Sequence, residues 1–432
     1  MLLLYAKQVT PRLKYTAKFI FQDILQTEVH LTSSVSEVEA FSGPVLNYSD
    51  QELPGVKLHP RALLFKSEIT RIDVDAFDYK GIPAIMSVSK PSALPFDPLA
   101  ATFYMISRYE EYGPHKTDRY GRFSSSASVA YRQGFLEIPV VDHWAYFLRD
   151  EIEKAYPLFR FPKRTYKFLP TIDIDMAWSY RHKGFWRAAG AFVRSALRRD
   201  FDEIRQRYRV LFKDQQDPYD TFDLLQGWHK EMQLSPVMFF QIGPYGKYDK
   251  NISIKCEEMQ QLIRDVQKYC HIGVHPSYQS NKSYDNLYSE VLLLSSVTRE
   301  KITRSRQHFL MLQLPDTYHS LISSGIREDY TMGHAAHAGF RAGTCTPFRF
   351  FDLISNSETP LIIYPFAVMD VTLKNYIKLT PSEAVPYVNR LINEVKKVDG
   401  LFCSLWHNES LCEVGNWKGW RQVYYELLKL AR

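Results

Sequence analysis

The sequence predicts an α/β protein in two units, the second of them a barrel of parallel strands. Three observations carry this. At 432 residues the chain is too long for one ordinary core, so two domains are expected. From about residue 165 onward, apolar runs recur between helical stretches: "KFLPTIDID", "SPVMFFQIG", "CHIGVHP", "RQHFLML", "HAGFRAG", "PLIIYPF" and "LFCSLWH". Such alternation implies parallel β-α units, and seven of them favour closure over an open sheet. Polar residues also stand at or near the C-terminal ends of these runs: Asp173 and Asp175, Gln241, His275, His308, Arg341, Asp370 and His407. In a parallel barrel that rim is where catalytic groups gather.

Residues 1–160 form the first expected unit, a smaller α/β domain with no chemical signature of its own. "MLLLYA" and "PAIMSVS" are expected strands, and "DPLAATFYMISRYEEYG" an amphipathic helix capped by Asp97 with Pro98 in its first turn. The serine-rich "KTDRYGRFSSSASVAYRQGF" is expected to be a loop, "PVVDHWAYFLRDEIEKAY" a helix, and "PLFRFPKRTYKF" a linker into the second unit, residues 161–432. Within that unit "IKCEEMQQLIRDVQKY" and "PSEAVPYVNRLINEVKKV" are the clearest helices.

Bulk properties exclude several classes. Hydrophobic residues at 45%, charged at 24% and aromatic at 14% describe a folded chain. The net charge of +6 comes with no long basic run. The densest cluster, "VRSALRRDFDEIRQRYR", mixes in acids at helical spacing, which reads as a solvated helix face and not a nucleic-acid stripe. Five cysteines without a C-x-x-C pair suit free thiols in a reducing compartment. No segment reaches the ~18 apolar residues of a membrane span, and the short apolar start is no signal-peptide core. A cytoplasmic protein is expected.

The chemistry concentrates in a few places. In "TIDID", Asp173 and Asp175 are two positions apart, so on a strand both point the same way, roughly 6–7 Å apart. That suits one carboxylate on a metal ion and the other beside it as a base; a polar turn would need only one. In "HIGVHPSY" the extended backbone sets His271 and His275 roughly 13 Å apart, too far to share an ion, so His275 at the strand's end is the better ligand. His308 lies inside an expected strand, where a lone histidine is commonly a core residue. Arg341 has the rigid fork that can hold a carboxylate such as Asp173 ionised and oriented, or can pair with a surface acid. His407, beside Trp406, can act as a general acid, with Asp370 as its hydrogen-bond partner.

In their order, "TIDID", "GVHPSY", "GFRAGT", "PFAVMD" and "SLWHNE" resemble the five motifs of the polysaccharide deacetylases, carbohydrate esterase family 4. The whole resembles a branch carrying an uncharacterised N-terminal domain, to which "FDPLAATFYMISRYEEY" is similar. The likeness implies a distorted (β/α)7 barrel and a divalent ion, commonly zinc. It implies Asp173 as catalytic base, Asp175 and His275 as metal ligands, Arg341 as the residue orienting the base, and His407 as the acid tuned by Asp370. In much of the family a second metal histidine follows the first by four residues, where this chain has Gln279; His308 is the expected replacement. The implied reaction is metal-assisted removal of an N-acetyl group from an amino sugar or a related small amide. Tyr245, Tyr278, Trp406 and Trp178 are the aromatics expected to stack on a sugar. The competing expectation is a non-catalytic carbohydrate-binding protein on the same barrel.

Overall fold

The computed structural model describes all 432 residues. The chain starts on β1 (Leu2–Tyr5), buried along its whole length, which becomes an inner strand of a four-stranded parallel sheet. Its companions are β2 (Val29–Thr32), β3 (Val45–Asn47) and β4 (Val56–Lys57), in the order β2-β1-β3-β4. A small hairpin, β5 (Phe77–Tyr79) with β6 (Ile82–Ala84), follows; the expected strand "PAIMSVS" thus contributes only its first residues.

Asp97 caps the helix Pro98–Ile106 as expected, its carboxylate accepting from the N–H groups of Leu99 and Ala100, both at 3.0 Å. This helix is not amphipathic, however. All nine of its residues are buried, because it passes between the helices Pro11–Lys18 and Val140–Ala155. Phe103 packs edge-on against Tyr15 and against Phe351 of the second unit, and one hydrophobic core runs from Leu2 to Ala431. Residues 157–166 lack regular structure and carry the chain across.

The second unit is built on nine strands: β7 (Lys167–Ile174), β8 (Val237–Phe240), β9 (His271–Val274), β10 (Arg304–Ser305), β11 (Glu328–Asp329), β12 (Phe348–Asp352), β13 (Ser357–Ile363), β14 (Val368–Met369) and β15 (Leu401–His407). Their order is β12-β13-β11-β10-β9-β8-β7-β15-β14, parallel throughout except where β12 runs against β13. β12 and β14 each have a single neighbour in this order, while β13 and β14 lie on one continuous stretch, residues 357–369, that meets β11 through β13 and β15 through β14.

Two expected strands fail for local reasons. "HAGFRAG" forms no strand, since Gly339 and Gly343 adopt φ of +119° and +66°. The N–H of Phe340 donates to Leu136 of the first unit, and that of Gly339 to Ala367. Any Cβ at Gly339 would stand 2.3 Å from the Leu136 carbonyl oxygen. In "RQHFLML" only Arg304–Ser305 of the preceding residues pairs as a strand, and His308 starts a single 3₁₀ turn after it. His308 is therefore a rim residue and not part of a strand interior.

Register carries the rim together. Asp173 on β7 stands opposite His407 on β15 and Phe239 on β8. Gln241, His275 and Arg306 each begin the loop that leaves a neighbouring strand.

Candidate metal and acid–base site

The β7 end delivers two carboxylates in different settings. Asp173 is buried, while the side chain of Asp175 keeps a quarter of its surface exposed. Both reach one imidazole: His275 Nε2 is 3.0 Å from Asp175 Oδ1 and 3.8 Å from Asp173 Oδ2. His308 Nε2 approaches Asp175 Oδ2 at 3.5 Å. Asp175, His275 and His308 each offer one ligand atom, and these atoms lie within 4.8 Å of one another.

The groups behind each imidazole engage its far nitrogen. His275 Nδ1 meets the Arg306 carbonyl at 2.6 Å, and His308 Nδ1 lies 2.7 Å from Gln241 Nε2 and 3.0 Å from Asp249 Oδ1. Both Nε2 atoms are thereby left facing Asp175, the arrangement that metal-binding histidines adopt when a carbonyl or carboxylate holds the far nitrogen. Asp249 accepts further from Gln241 Nε2 at 2.6 Å and from the Tyr278 N–H at 2.9 Å. Asp175 Oδ1 is buried and accepts no hydrogen bond, its contact with His275 being out of line for one. A buried carboxylate oxygen facing two imidazole nitrogens fits a divalent cation such as zinc, whose ligands are these atom types.

Without an ion, charge redistributes within the cluster. Burial opposes ionisation of Asp175, yet the facing His308 and His275 outweigh it and hold the carboxyl well below its usual range. Burial would likewise lower His308, but the Asp175 and Asp249 carboxylates push it up to about 9.

The residues expected as base and acid flank this cluster. Asp173 Oδ1 accepts from Arg306 Nη1 at 2.9 Å. Arg306 is wholly buried, donates Nε–H to the Tyr330 carbonyl at 3.0 Å, and lies 4.7 Å from the Phe239 ring centroid. His407 Nδ1 meets Asp370 Oδ1 at 2.8 Å, and Asp370 Oδ2 accepts the His407 backbone N–H at 2.9 Å. Burial lowers the His407 pKa, but Asp370 at this distance overrides it and raises the imidazole to about 10. His407 Nε2 is 4.0 Å from Asp175 Oδ2.

Three expected placements need correction. Arg341 does not approach Asp173; Nε and Nη2 grip Glu111 of the first unit at 2.9 and 2.6 Å, and Arg306 stands where it was expected. The turn at Gly339–Gly343 aims residue 341 inward between the units. Trp406 cannot stack on a ligand, because it is fully buried against Tyr424 with ring centroids 5.3 Å apart. Strand alternation explains it: His407 faces the site, so its neighbour faces the opposite side. Tyr245 is exposed and stacks with Arg187 away from the cavity. Tyr278 is half-buried beside Tyr248 and Phe309, while Trp178 is buried beside His182.

The residues missed are Arg306, Asp249, Glu409 and Arg122. Burial and the nearby Asp175 push the Glu409 carboxyl up to about 7. Arg122 comes from the serine-rich loop of the first unit, lines the cavity, and donates to the Phe309 carbonyl. Only Arg306 left a trace in the sequence, two residues before His308 at the end of an apolar-flanked run. The cavity itself has a volume of about 170 Å³ and is lined by Asp173, Asp175, His275, His308, His407 and Arg122 among others. That is below the ~300–1,000 Å³ of ordinary ligand pockets, so it admits a small group and not a whole sugar chain. A larger cleft of about 650 Å³ near Tyr131, His337 and Arg390 contains none of these residues.

No curated protein matches this chain. Among solved structures, a candidate polysaccharide deacetylase from Mycobacterium smegmatis aligns with 62% of this chain and 86% of its own, at 12% identity and a TM-score of 0.39. The polysaccharide deacetylase Bc1974 from Bacillus cereus covers 60% and 88% at 11% identity and a TM-score of 0.29. The PuuE allantoinase covers 61% and 86% at 8% identity and a TM-score of 0.35. Residues 2–157 match the model of DUF7033, a family of unknown function.

Proposed function

We propose that this protein is a metal-dependent hydrolase that removes an N-acetyl or related acyl group from an amino sugar or glycan. The observation that carries the reading is the convergence of Asp175, His275 and His308, both imidazoles with their far nitrogens engaged, beside a second carboxylate held by a buried arginine. Asp175, His275 and His308 would hold the ion, with zinc the best fit to one oxygen and two nitrogen donors. When bound, it supplies Lewis-acid polarisation of the acyl carbonyl and lowers the pKa of water.

The chain's own groups account for the proton movements. Asp173, fixed by Arg306 Nη1, accepts the proton of the attacking water. His407 holds its proton through neutral pH because Asp370 stabilises the imidazolium, so it donates to the departing amine. The cavity of about 170 Å³ is of a size to take the acyl group.

The test combines metal content with acetate release from N-acetylhexosamine oligomers. Asp175→Ala and His275→Ala should each strip the protein of its ion, while Asp173→Asn should keep the ion and lose turnover. Full metal occupancy in both ligand variants would sink the assignment. Sugar binding with no acetate released from any substrate tried would favour the non-catalytic reading.

A further inference from the structure

We infer that the helical hairpin following β7 docks on an anionic lipid bilayer. It comprises the helices Phe185–Leu197 and Phe201–Phe212. The amphipathicity of both is inverted. Ser195, Arg207 and Val210 are the buried residues, whereas Phe185, Trp186, Val193, Leu197, Phe201 and Phe212 are each at least 60% exposed. Ser195 Oγ donates across to Glu203 Oε2 at 2.9 Å; Arg207 pairs with Glu203 within the second helix at 2.6 Å and lies 5.4 Å from the Phe192 ring of the first. Every strongly exposed phenylalanine and tryptophan of the chain lies in this hairpin.

The spacing makes the exposed groups a continuous stripe. Trp186, Val193 and Leu197 are seven and four residues apart, which puts them on one line along the first helix. Phe201, Tyr208 and Phe212 repeat the same spacing on the second. A stripe of this kind facing water is unfavourable unless something covers it.

Charge identifies the covering surface. Residues 176–199 contain six lysines and arginines and no acid at all. On the first helix Arg187, Arg194 and Arg198 run parallel to the apolar stripe, about a quarter-turn away. Beside them opens a cleft of about 480 Å³ whose lining includes Lys183, Arg194, Arg198 and Lys250. Glu203, its one acid, is already taken by Arg207. Arg187 is engaged with the Asn251 and Lys250 carbonyls, but aromatic and leucine side chains flanked by arginines such as Arg194 and Arg198 are the composition of a helix lying in the headgroup region of a negatively charged membrane. Residues 185–212 carry seven arginines against three acids, so a second copy of this chain would meet this face with like charge in excess. No helix is long and apolar enough to cross a membrane, so the contact is peripheral.

The experiment is vesicle flotation of the full-length protein, with phosphatidylcholine alone against phosphatidylcholine mixed with phosphatidylglycerol, followed by Trp186 fluorescence. Flotation only with the anionic vesicles, weakened by salt, together with a blue shift that Trp186→Phe removes, is expected. Replacing both Arg194 and Arg198 by Gln should weaken binding roughly twenty-five-fold, at about fivefold per arginine near such a surface. Trp186→Ala with Leu197→Ala should weaken it comparably while leaving the unfolding midpoint unchanged. Equal partitioning onto both vesicle types, or none onto either, would overturn the inference. So would a concentration-dependent dimer that Trp186→Glu dissolves, since the stripe would then belong to a second copy. None of these readouts depends on hydrolysis, so the docking and the proposed chemistry can fail separately.

Discussion

Two buried charge clusters lie close together in this fold, and they differ in what they leave unsatisfied. In the first, Glu111 is clamped by Arg341 and by Arg108 Nε at 2.7 Å, and Arg108 also holds Glu110 at 2.8 Å. Charges there alternate in sign and the carboxylate and guanidinium forks are matched. In the second, Asp175 and two imidazoles turn their free atoms toward one point, and a buried carboxylate oxygen is left without a donor. A closed cluster stabilises the junction of two units; one whose free atoms converge on a point has the arrangement of a ligand site. Burial and charge alone do not separate structural from functional groups, but satisfaction does.

The contrast can be broken most sharply at the base. Asp173→Asn should lower turnover by ~10²–10⁴-fold, the range for loss of a general base, with metal content and unfolding midpoint nearly intact. Steady-state rates alongside elemental analysis would check it. The converse holds for the closed cluster, where Glu111→Gln leaves two arginines buried and underpaired. It should cost about 3–5 kcal/mol in chemical denaturation and leave the activity of the folded fraction in place. Its pH signature has a definite sign. Burial raises the Glu111 carboxyl but Arg341 and Arg108 outweigh it, bringing it down to about 2, so its stabilisation is present above the unfolded value near 4.5 and is lost as pH falls toward 2.

A third prediction concerns the proton that the open cluster must give up. Because His308 is raised to about 9 when no ion is bound, zinc uptake at neutral pH should release protons, and affinity should strengthen as pH rises toward 9. Calorimetry in buffers of different ionisation enthalpy would count them; His308→Ala should abolish the release and Glu111→Gln should not. Next in size, Asp370→Asn should move the alkaline limb of the pH–rate profile down from near 10 toward 6.5, since His407 would lose the partner that keeps it protonated. Smallest of all is Tyr245→Ala. That ring is exposed and outside the cavity, so stability should stay within about 0.5 kcal/mol and turnover should not change.

The sequence by itself determined the alternation of apolar runs with helices and the placing of acids and histidines at the run ends. Both are local: a two-residue period fixes which way Asp173 and Asp175 point, and a capping residue such as Asp97 needs only its own next turn.

Only the tertiary structure decided which distant groups meet. Arg341 and Arg306 carry the same chemistry, and nothing local says that the first turns toward Glu111 while the second is held over Phe239 beside Asp173. Asp249 and Arg122 reach the site from loops, and Trp406 is taken from it by the alternation that gives it His407. The loss of the strand expected at "HAGFRAG" was likewise beyond local reading, because a loop pinned by Gly339 to the first unit stands in its place. Long-range pairing is chosen by the packing of the whole core, and a chain read a few residues at a time carries the candidates for that choice without the outcome.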